Sequence, residues 1–295
     1  MKRAFQWYSL FTTFGMLLVL LMGSIVTKTG SGDGCGNSWP LCYGQVLPSA
    51  PKLETMIEYS HRIVSGWLGI LVIILAVWAW KKYGHIKGMK FLACVAVFFI
   101  VLQGLLGAAA VIWSQSSAVL ALHFGFSLIS FASVLLIAVL SFEKQDNPFV
   151  MNVSSGFKKN IYLLFIYLYL VVYTGALVRH TESSLGCTGF PLCNGEWLPE
   201  LGGAAGIQFL HRIAAFILFI WILLSAAYAH KHYREDRNAK IGFILASLFI
   251  TLQAASGAIV VLSNLNLFAA LSHGVIISCL FGTLSFLVMA AYRKT

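Results

Sequence analysis

Charged residues are scarce in this sequence, and their scarcity excludes a soluble protein of ordinary surface. Only 10% of the 295 residues are Asp, Glu, Lys or Arg, whereas 59% are hydrophobic and the mean hydropathy is +0.84. A globular domain devotes about a quarter of its residues to charge. Strand-length segments of alternating polar and apolar residues are also missing, so helices have no competing interpretation. The composition predicts an integral membrane protein.

The apolar residues fall into eight runs, each near the ~20 residues that span the hydrocarbon core of a bilayer. Since backbone polar groups in lipid must bond within their own segment, each run is predicted to be a helix. The first run could pass for a signal peptide, but its end, Gly23 to Thr29, aligns with Gly175 to Thr181, so we expect it to stay in the mature protein. The runs cover roughly residues 8–26, 61–80, 91–112, 118–141, 161–179, 210–229, 240–261 and 267–291.

The net charge of +10 indicates membrane topology rather than a nucleic-acid partner. If the N-terminus is cytoplasmic, only five of the 20 Lys and Arg residues lie at or near the outer face, namely Lys28, Lys52, Arg62, Arg179 and Arg212. An excess of Lys and Arg in cytoplasmic segments sets the orientation of a membrane protein. We therefore predict a multi-pass protein of the cell membrane, surrounded by lipid, with both termini in the cytoplasm.

Four histidines form two copies of one pattern. His61 and His123 belong to the first copy and His211 and His273 to the second, with a spacing of 62 residues in each (123 − 61 and 273 − 211). The tripeptide His-Arg-Ile begins at both His61 and His211. The sequence is therefore an internal repeat of four apolar runs.

Four helices in each copy predict how the copies are arranged. Because four is even, both copies enter the membrane in the same direction, as in a parallel repeat. The fold class is expected to be an all-α membrane protein whose eight transmembrane helices form two parallel-repeat four-helix bundles. The predicted domains are residues 1–142 and 161–295, joined by a polar cytoplasmic linker at 143–160.

Each histidine pair is expected near the outer face, on two helices that run in the same direction. An ionisable side chain inside a membrane is costly and usually functional. Imidazole binds Zn, Cu, Fe and Ni, but no repeated Cys or carboxylate completes a zinc site. Copper remains an alternative that usually shows Met or Cys nearby. Two histidines on opposite helices suit the axial positions of a haem inside a bundle.

Small residues on the third helix of each copy allow two interpretations. They serve close helix packing, or they leave room for a flat macrocycle. These residues are Gly104, Gly107, Ala254, Ser256 and Gly257.

The two copies differ three residues before their first histidine. Glu58 precedes His61, whereas Gln208 precedes His211. Residues at i and i+3 share a helix face, so Glu58 is expected to reach toward the group that His61 ligates. A carboxylate can transfer protons and an amide cannot, although an acid at a helix N-terminus is also favoured by the helix dipole. If haem occupies both copies, the reaction is placed in the first and electron storage in the second.

Two external loops each contain Gly-Cys followed by Pro-Leu-Cys. Cys35 and Cys42 are separated by six residues, and Cys187 and Cys193 by five. This spacing fits neither a CxxC zinc site nor a thioredoxin motif. On the oxidising outer side nearby thiols are expected to pair, which predicts disulfides Cys35–Cys42 and Cys187–Cys193. A structural and a redox role both remain open for them.

Taken together, these features resemble the haem A synthases of the bacillus type over nearly the whole chain. The resemblance rests on the eight helices, the four histidines, the external Cys pairs and the segments Glu58-Tyr-Ser-His-Arg and Gln208-Phe-Leu-His-Arg. It implies oxidation of the C8 methyl of haem O to a formyl group, through two hydroxylations and loss of water. It also implies that the protein functions together with haem O synthase and with an electron donor or acceptor that the family does not define.

The same resemblance implies roles for individual residues. His61 and His123 would hold the substrate haem O, with Glu58 as the catalytic carboxylate beside them. His211 and His273 would ligate a haem b cofactor. The arginine after the first histidine of each copy, Arg62 or Arg212, is expected to pair with haem propionates, with lipid headgroups as the alternative.

A rival class would use the same four histidines. A di-haem b-type electron-transfer cytochrome needs them all, but it needs no acid beside one haem only, so the difference between Glu58 and Gln208 argues against it. A transporter fits less well, because helices interrupted by Gly or Pro at corresponding places in the two copies are not evident.

Overall fold

The computed structural model describes residues 2–49, 51–113, 116–144 and 148–293. Within these ranges the chain is helical and has no β-strand, and eight helices are long and apolar enough to cross a membrane. The predicted all-α membrane protein with eight spanning helices is thereby confirmed. The helices are α1 (Lys2–Lys28), α2 (Leu53–Tyr83), α3 (Met89–Ile112), α4 (Ser117–Ser141), α5 (Ser155–His180), α6 (Gly203–His232), α7 (Arg237–Leu262) and α8 (Leu267–Tyr292).

Several helices extend beyond the apolar runs that predicted them. Helix α2 begins at Leu53, about two turns before His61, and α6 begins at Gly203. The predicted linker at 143–160 overlaps α5, which begins at Ser155 because the Ser154 hydroxyl caps it by accepting a hydrogen bond from the Phe157 N–H at 3.3 Å. Linker residues 145–147 lie outside the described part of the chain.

The chain divides into two compact units, Met1–Phe142 and Glu143–Thr295. In the first, α1 packs against α2 and α4, and α3 packs against the same two helices. Helices α2 and α4 are therefore opposite each other in a four-helix bundle. The buried interior includes Leu75, Leu128 and Ile137, and it supplies apolar contact along the bundle axis.

The second unit has the same order of neighbours. Helix α5 packs against α6 and α8, and α7 packs against the same two helices, so α6 and α8 are opposite each other. Inside this bundle the Trp221 indole donates a hydrogen bond to Asn160 at 2.8 Å. A buried ion pair between Arg293 and Glu143, at 2.5 Å, connects the last helix to the first residue of the unit. Each unit is a four-helix bundle, and their arrangement as a parallel repeat stays a prediction.

Candidate functional site

A disulfide closes a loop after the first helix of each unit. The structure contains the bonds Cys35–Cys42 and Cys187–Cys193, which confirms both predicted pairings. All four cysteines are buried, and in each loop the second cysteine forms a backbone bridge to the residue three positions later. The two loops therefore fold alike, although they differ in length by one residue.

Glu58 and Gln208 attach these loops to the helices that carry the first histidine of each unit. Both side chains are buried, with 3% and 4% exposure respectively. The Cys35 N–H donates a hydrogen bond to Glu58 Oε2 at 2.7 Å, and the Cys187 N–H donates to Gln208 Oε1. A carboxylate and an amide can both accept such a bond. The sequence drew attention to the difference between these residues and missed the anchoring contact that they share.

The arginine after the first histidine of each unit contacts the same loop. Arg62 forms an ion pair with Glu58 and donates a hydrogen bond to the Ser38 carbonyl at 2.7 Å. Arg212 donates to the Cys187 carbonyl at 3.1 Å. Burying two charges is tolerable when they are paired and hydrogen-bonded, as Glu58 and Arg62 are. The predicted propionate contacts of Arg62 and Arg212 stay a prediction, since the observed partners are in the protein.

Each of the four histidines packs against a glycine on the preceding helix. A β-carbon at Gly23, Gly175 or Gly257 would lie closer to the ring Cε1 than most real contacts, whereas at Gly107 the contact would be an ordinary van der Waals one. The absence of a side chain therefore allows three of the four imidazoles to lie where they do. Gly107 and Gly257, for which the sequence left helix packing and macrocycle space open, lie against imidazoles of the neighbouring helix. The distances from such a β-carbon to Cε1 are 3.3 Å for Gly23 and His61, 3.5 Å for Gly107 and His123, 3.0 Å for Gly175 and His211, and 3.2 Å for Gly257 and His273.

The two units differ in how the histidine Nδ1 atoms are bonded. His211 Nδ1 is 2.8 Å from the Thr174 hydroxyl, and His273 Nδ1 is 2.9 Å from the Ser256 hydroxyl. His61 Nδ1 and His123 Nδ1 are buried, and neither has a hydrogen-bond partner among the described residues. The spacing of the histidines does not point to Thr174 or to this role of Ser256.

These imidazoles fit the axial positions of a haem. Each pair lies on opposite helices of one bundle. The described residues contain no group of three or more His, Cys, Asp or Glu arranged to hold a metal ion, as a structural zinc site requires. At His273 the Nε2 atom is 2.9 Å from the Gln253 amide nitrogen, so Gln253 must turn aside for a ligand to bind there.

Eight membrane-spanning helices with a pair of half-buried histidines in each four-helix unit define a class, the multi-pass membrane proteins with bis-histidine sites. Glu58 distinguishes one of the two sites from the other.

The chain belongs to the COX15-CtaA family, described as cytochrome oxidase assembly protein, whose family model matches residues 6–285. It is 48% identical to the Heme A synthase of Halalkalibacterium halodurans over 295 residues, which cover 100% of this chain and 99% of that protein. It is 50% identical to the Heme A synthase of Geobacillus kaustophilus over 295 residues, covering 99% and 93%. The corresponding protein of Bacillus licheniformis is 49% identical over 300 residues, covering 100% and 99%. The resemblance drawn from the sequence is confirmed.

Proposed function

We propose that this protein is a haem A synthase, which oxidises the C8 methyl of haem O to a formyl group in the membrane. The observation that carries the proposal is its similarity, over the full chain, to proteins named Heme A synthase. The oxidation proceeds by two successive hydroxylations, and the resulting geminal diol loses water. Haem O synthase supplies the substrate, and an external electron donor or acceptor completes the redox balance.

The two histidine pairs have different ligands in this proposal. His61 and His123 hold the substrate haem O, and His211 and His273 hold a haem b cofactor. Bound haem supplies the redox chemistry that amino acid side chains lack. The glycine contacts support this assignment, because they place four half-buried imidazoles inside apolar bundles.

Glu58 is the residue that can hold or move a proton beside the substrate. It shares a helix face with His61, since the two are three positions apart on α2. The Cys35 N–H and the Arg62 guanidinium fix both carboxylate oxygens. A proton taken up by Glu58 weakens its bond to Arg62, so proton transfer at this residue also affects the disulfide loop.

The variant Glu58→Gln tests the function and the role of the carboxylate. Gln208 accepts the same loop N–H in the second unit, so glutamine at position 58 can keep the loop anchored. Because general acid–base catalysis contributes about 10²–10⁴-fold, we expect haem A formation from supplied haem O to fall by a factor in that range. The measurement is chromatography of the extracted haems.

The matched control is Gln208→Glu, which places the carboxylate in the other unit and leaves Glu58 in place. We expect this variant to keep forming haem A. Normal haem A yield from Glu58→Gln would remove the carboxylate from the mechanism. If the unmodified protein binds haem but returns supplied haem O unchanged, the di-haem electron carrier is the better description.

A further inference from the structure

Two hydroxyl groups in the second unit have a role that the four ligands alone do not explain. Thr174 immediately precedes Gly175 on α5, and Ser256 immediately precedes Gly257 on α7. Each hydroxyl therefore lies next to the glycine against which the histidine packs. The distances to the histidine Nδ1 are 2.8 Å for Thr174 and 2.9 Å for Ser256.

Each of these hydroxyls lies within hydrogen-bond distance of a backbone carbonyl of its own helix, to which it can donate its proton. Thr174 Oγ1 donates to the Val171 carbonyl at 2.8 Å, and Ser256 Oγ donates to the Gln253 carbonyl at 3.0 Å. With its one proton on the helix carbonyl, each hydroxyl oxygen accepts a bond from the histidine. This assignment puts the imidazole proton on Nδ1 and leaves the lone pair on Nε2.

The other side of the His273 ring agrees with this tautomer. Its Nε2 is 2.9 Å from the amide nitrogen of Gln253, and that nitrogen is a donor. With the amide in this orientation, Nε2 is the acceptor. The ring is thus presented with Nδ1–H toward Ser256 and a basic Nε2 on the other side.

The first unit lacks both hydroxyls. Met22 precedes Gly23 where Thr174 precedes Gly175, and Leu106 precedes Gly107 where Ser256 precedes Gly257. His61 Nδ1 and His123 Nδ1 are buried without a partner in the described part of the chain, as those apolar neighbours require. The packing glycine is present in both units, but the acceptor is present only in the second.

We propose that Thr174 and Ser256 are positioning residues that make the second unit a permanent haem site, whereas their absence makes the first unit an exchangeable one. A metal-bound histidine that donates its other N–H to an acceptor is held in one orientation and is a more basic ligand. The second unit gives its haem two such ligands. In the first unit neither Nδ1 has such an acceptor, although the Gln103 backbone bonds the His123 ring. Imidazoles held less firmly suit a substrate that enters and a product that leaves. This inference rests on the proposed function for the identity of the two haems.

The test compares haem b retention in the purified protein. Thr174→Val and Ser256→Ala remove the acceptors with little change in shape. We expect the affinity of the double variant for haem b to be lower by about 10–100-fold, the usual effect of removing a ligand's hydrogen-bond partner. The variant should therefore transfer its haem b to added apomyoglobin more readily than the wild type does. The haem b that remains should show a higher reduction potential, because a less basic axial ligand stabilises the ferric state less.

Two controls separate positioning from general damage. Thr174→Ser and Ser256→Thr keep an acceptor at each place and should restore both retention and potential. Ser278→Ala removes another buried hydroxyl of the same unit, one that bonds the Gly274 carbonyl, and should change neither readout. Wild-type retention and potential in the Thr174→Val, Ser256→Ala double variant would overturn the proposal, and so would an equal loss in Ser278→Ala.

The reciprocal variant Met22→Thr, Leu106→Ser adds the acceptors to the first unit. We expect it to retain supplied haem O more tightly than the wild type, and unchanged retention would contradict the proposal. None of these readouts requires haem A formation. If the wild type makes no haem A, the proposed function fails while haem b retention still decides the role of the hydroxyls.

Discussion

At position 175 the absence of a side chain decides where the imidazole of His211 lies. A β-carbon there would be 3.0 Å from Cε1, closer than an ordinary van der Waals contact. We expect Gly175→Ala to push the ring away at a cost of about 1–3 kcal/mol, the usual range for overpacking. The measurable result is a lower haem b content, read from the absorbance spectrum of the purified protein.

Gly156→Ala is the matched control on the same helix. Gly156 lies at the start of α5, is exposed, and has open space where a β-carbon would be. Alanine is the better helix former by about 1 kcal/mol, so this variant should be as stable as the wild type and keep its haem b. Equal haem loss in the two variants would show that the contact with His211 is not the cause.

The histidines could be predicted from the sequence, but their second contacts could not. Identical spacing in two copies marks His61 and His211 without any structure. The roles of Thr174 and Ser256 depend on which neighbouring helix each ring faces, and that is a property of packing. A signal did exist, since a hydroxyl residue precedes a repeated glycine in the second copy and an apolar residue precedes it in the first.

At the level of helices and loops, hydropathy located the eight spans but set some of their starts too late. The first turns of α2 contain Glu54 and Glu58, which lower the hydropathy although the backbone there is helical. Glu58 is favourable in this position because it accepts the Cys35 N–H and pairs with Arg62. Loop–helix contacts of this kind join residues distant in sequence, so periodicity does not reveal them.

The loop after α5 is stabilised by its disulfide, and removing the bond tests how much. Closing a loop of six or seven residues is worth about 2 kcal/mol in chain entropy. We expect Cys187→Ser together with Cys193→Ser to lower the stability of the second unit by about that amount, seen as a lower midpoint of thermal unfolding in detergent. Cys94→Ala is the control, because Cys94 is a free thiol. A midpoint equal to that of the wild type would mean that Gln208 and Arg212 suffice to hold the loop.

Across the whole molecule, the two units share one frame of helices, disulfide loop and histidines, but they differ in residues at their candidate sites. Both units have four helices, a disulfide loop, a buried acceptor for that loop and glycines beside the histidines. At the candidate sites the units differ in Glu58, which stands in place of Gln208, and in apolar residues that stand in place of two hydroxyls. The frame positions the imidazoles, and those substitutions underlie the proposed difference between a substrate site in the first unit and a cofactor site in the second.

The orientation of this frame in the membrane follows from charge and can be tested by labelling. Four lysines, Lys81, Lys82, Lys87 and Lys90, lie at the end of α2, the start of α3 and between them, and basic segments stay in the cytoplasm. Cysteine introduced at the exposed residue His85 should therefore react with a membrane-impermeant maleimide only after the cells are permeabilised. Cysteine at the exposed residue Glu200, before α6, should react in intact cells.

The wild type is the control for both variants, because four of its six cysteines are in disulfides and Cys94 and Cys279 lie within apolar helices. Its labelling should be weak under either condition. Labelling of His85→Cys in intact cells, with Glu200→Cys protected, would reverse the orientation and place the disulfide loops in the reducing cytoplasm. Such loops would not keep their bonds there, so that result would also contradict the paired cysteines.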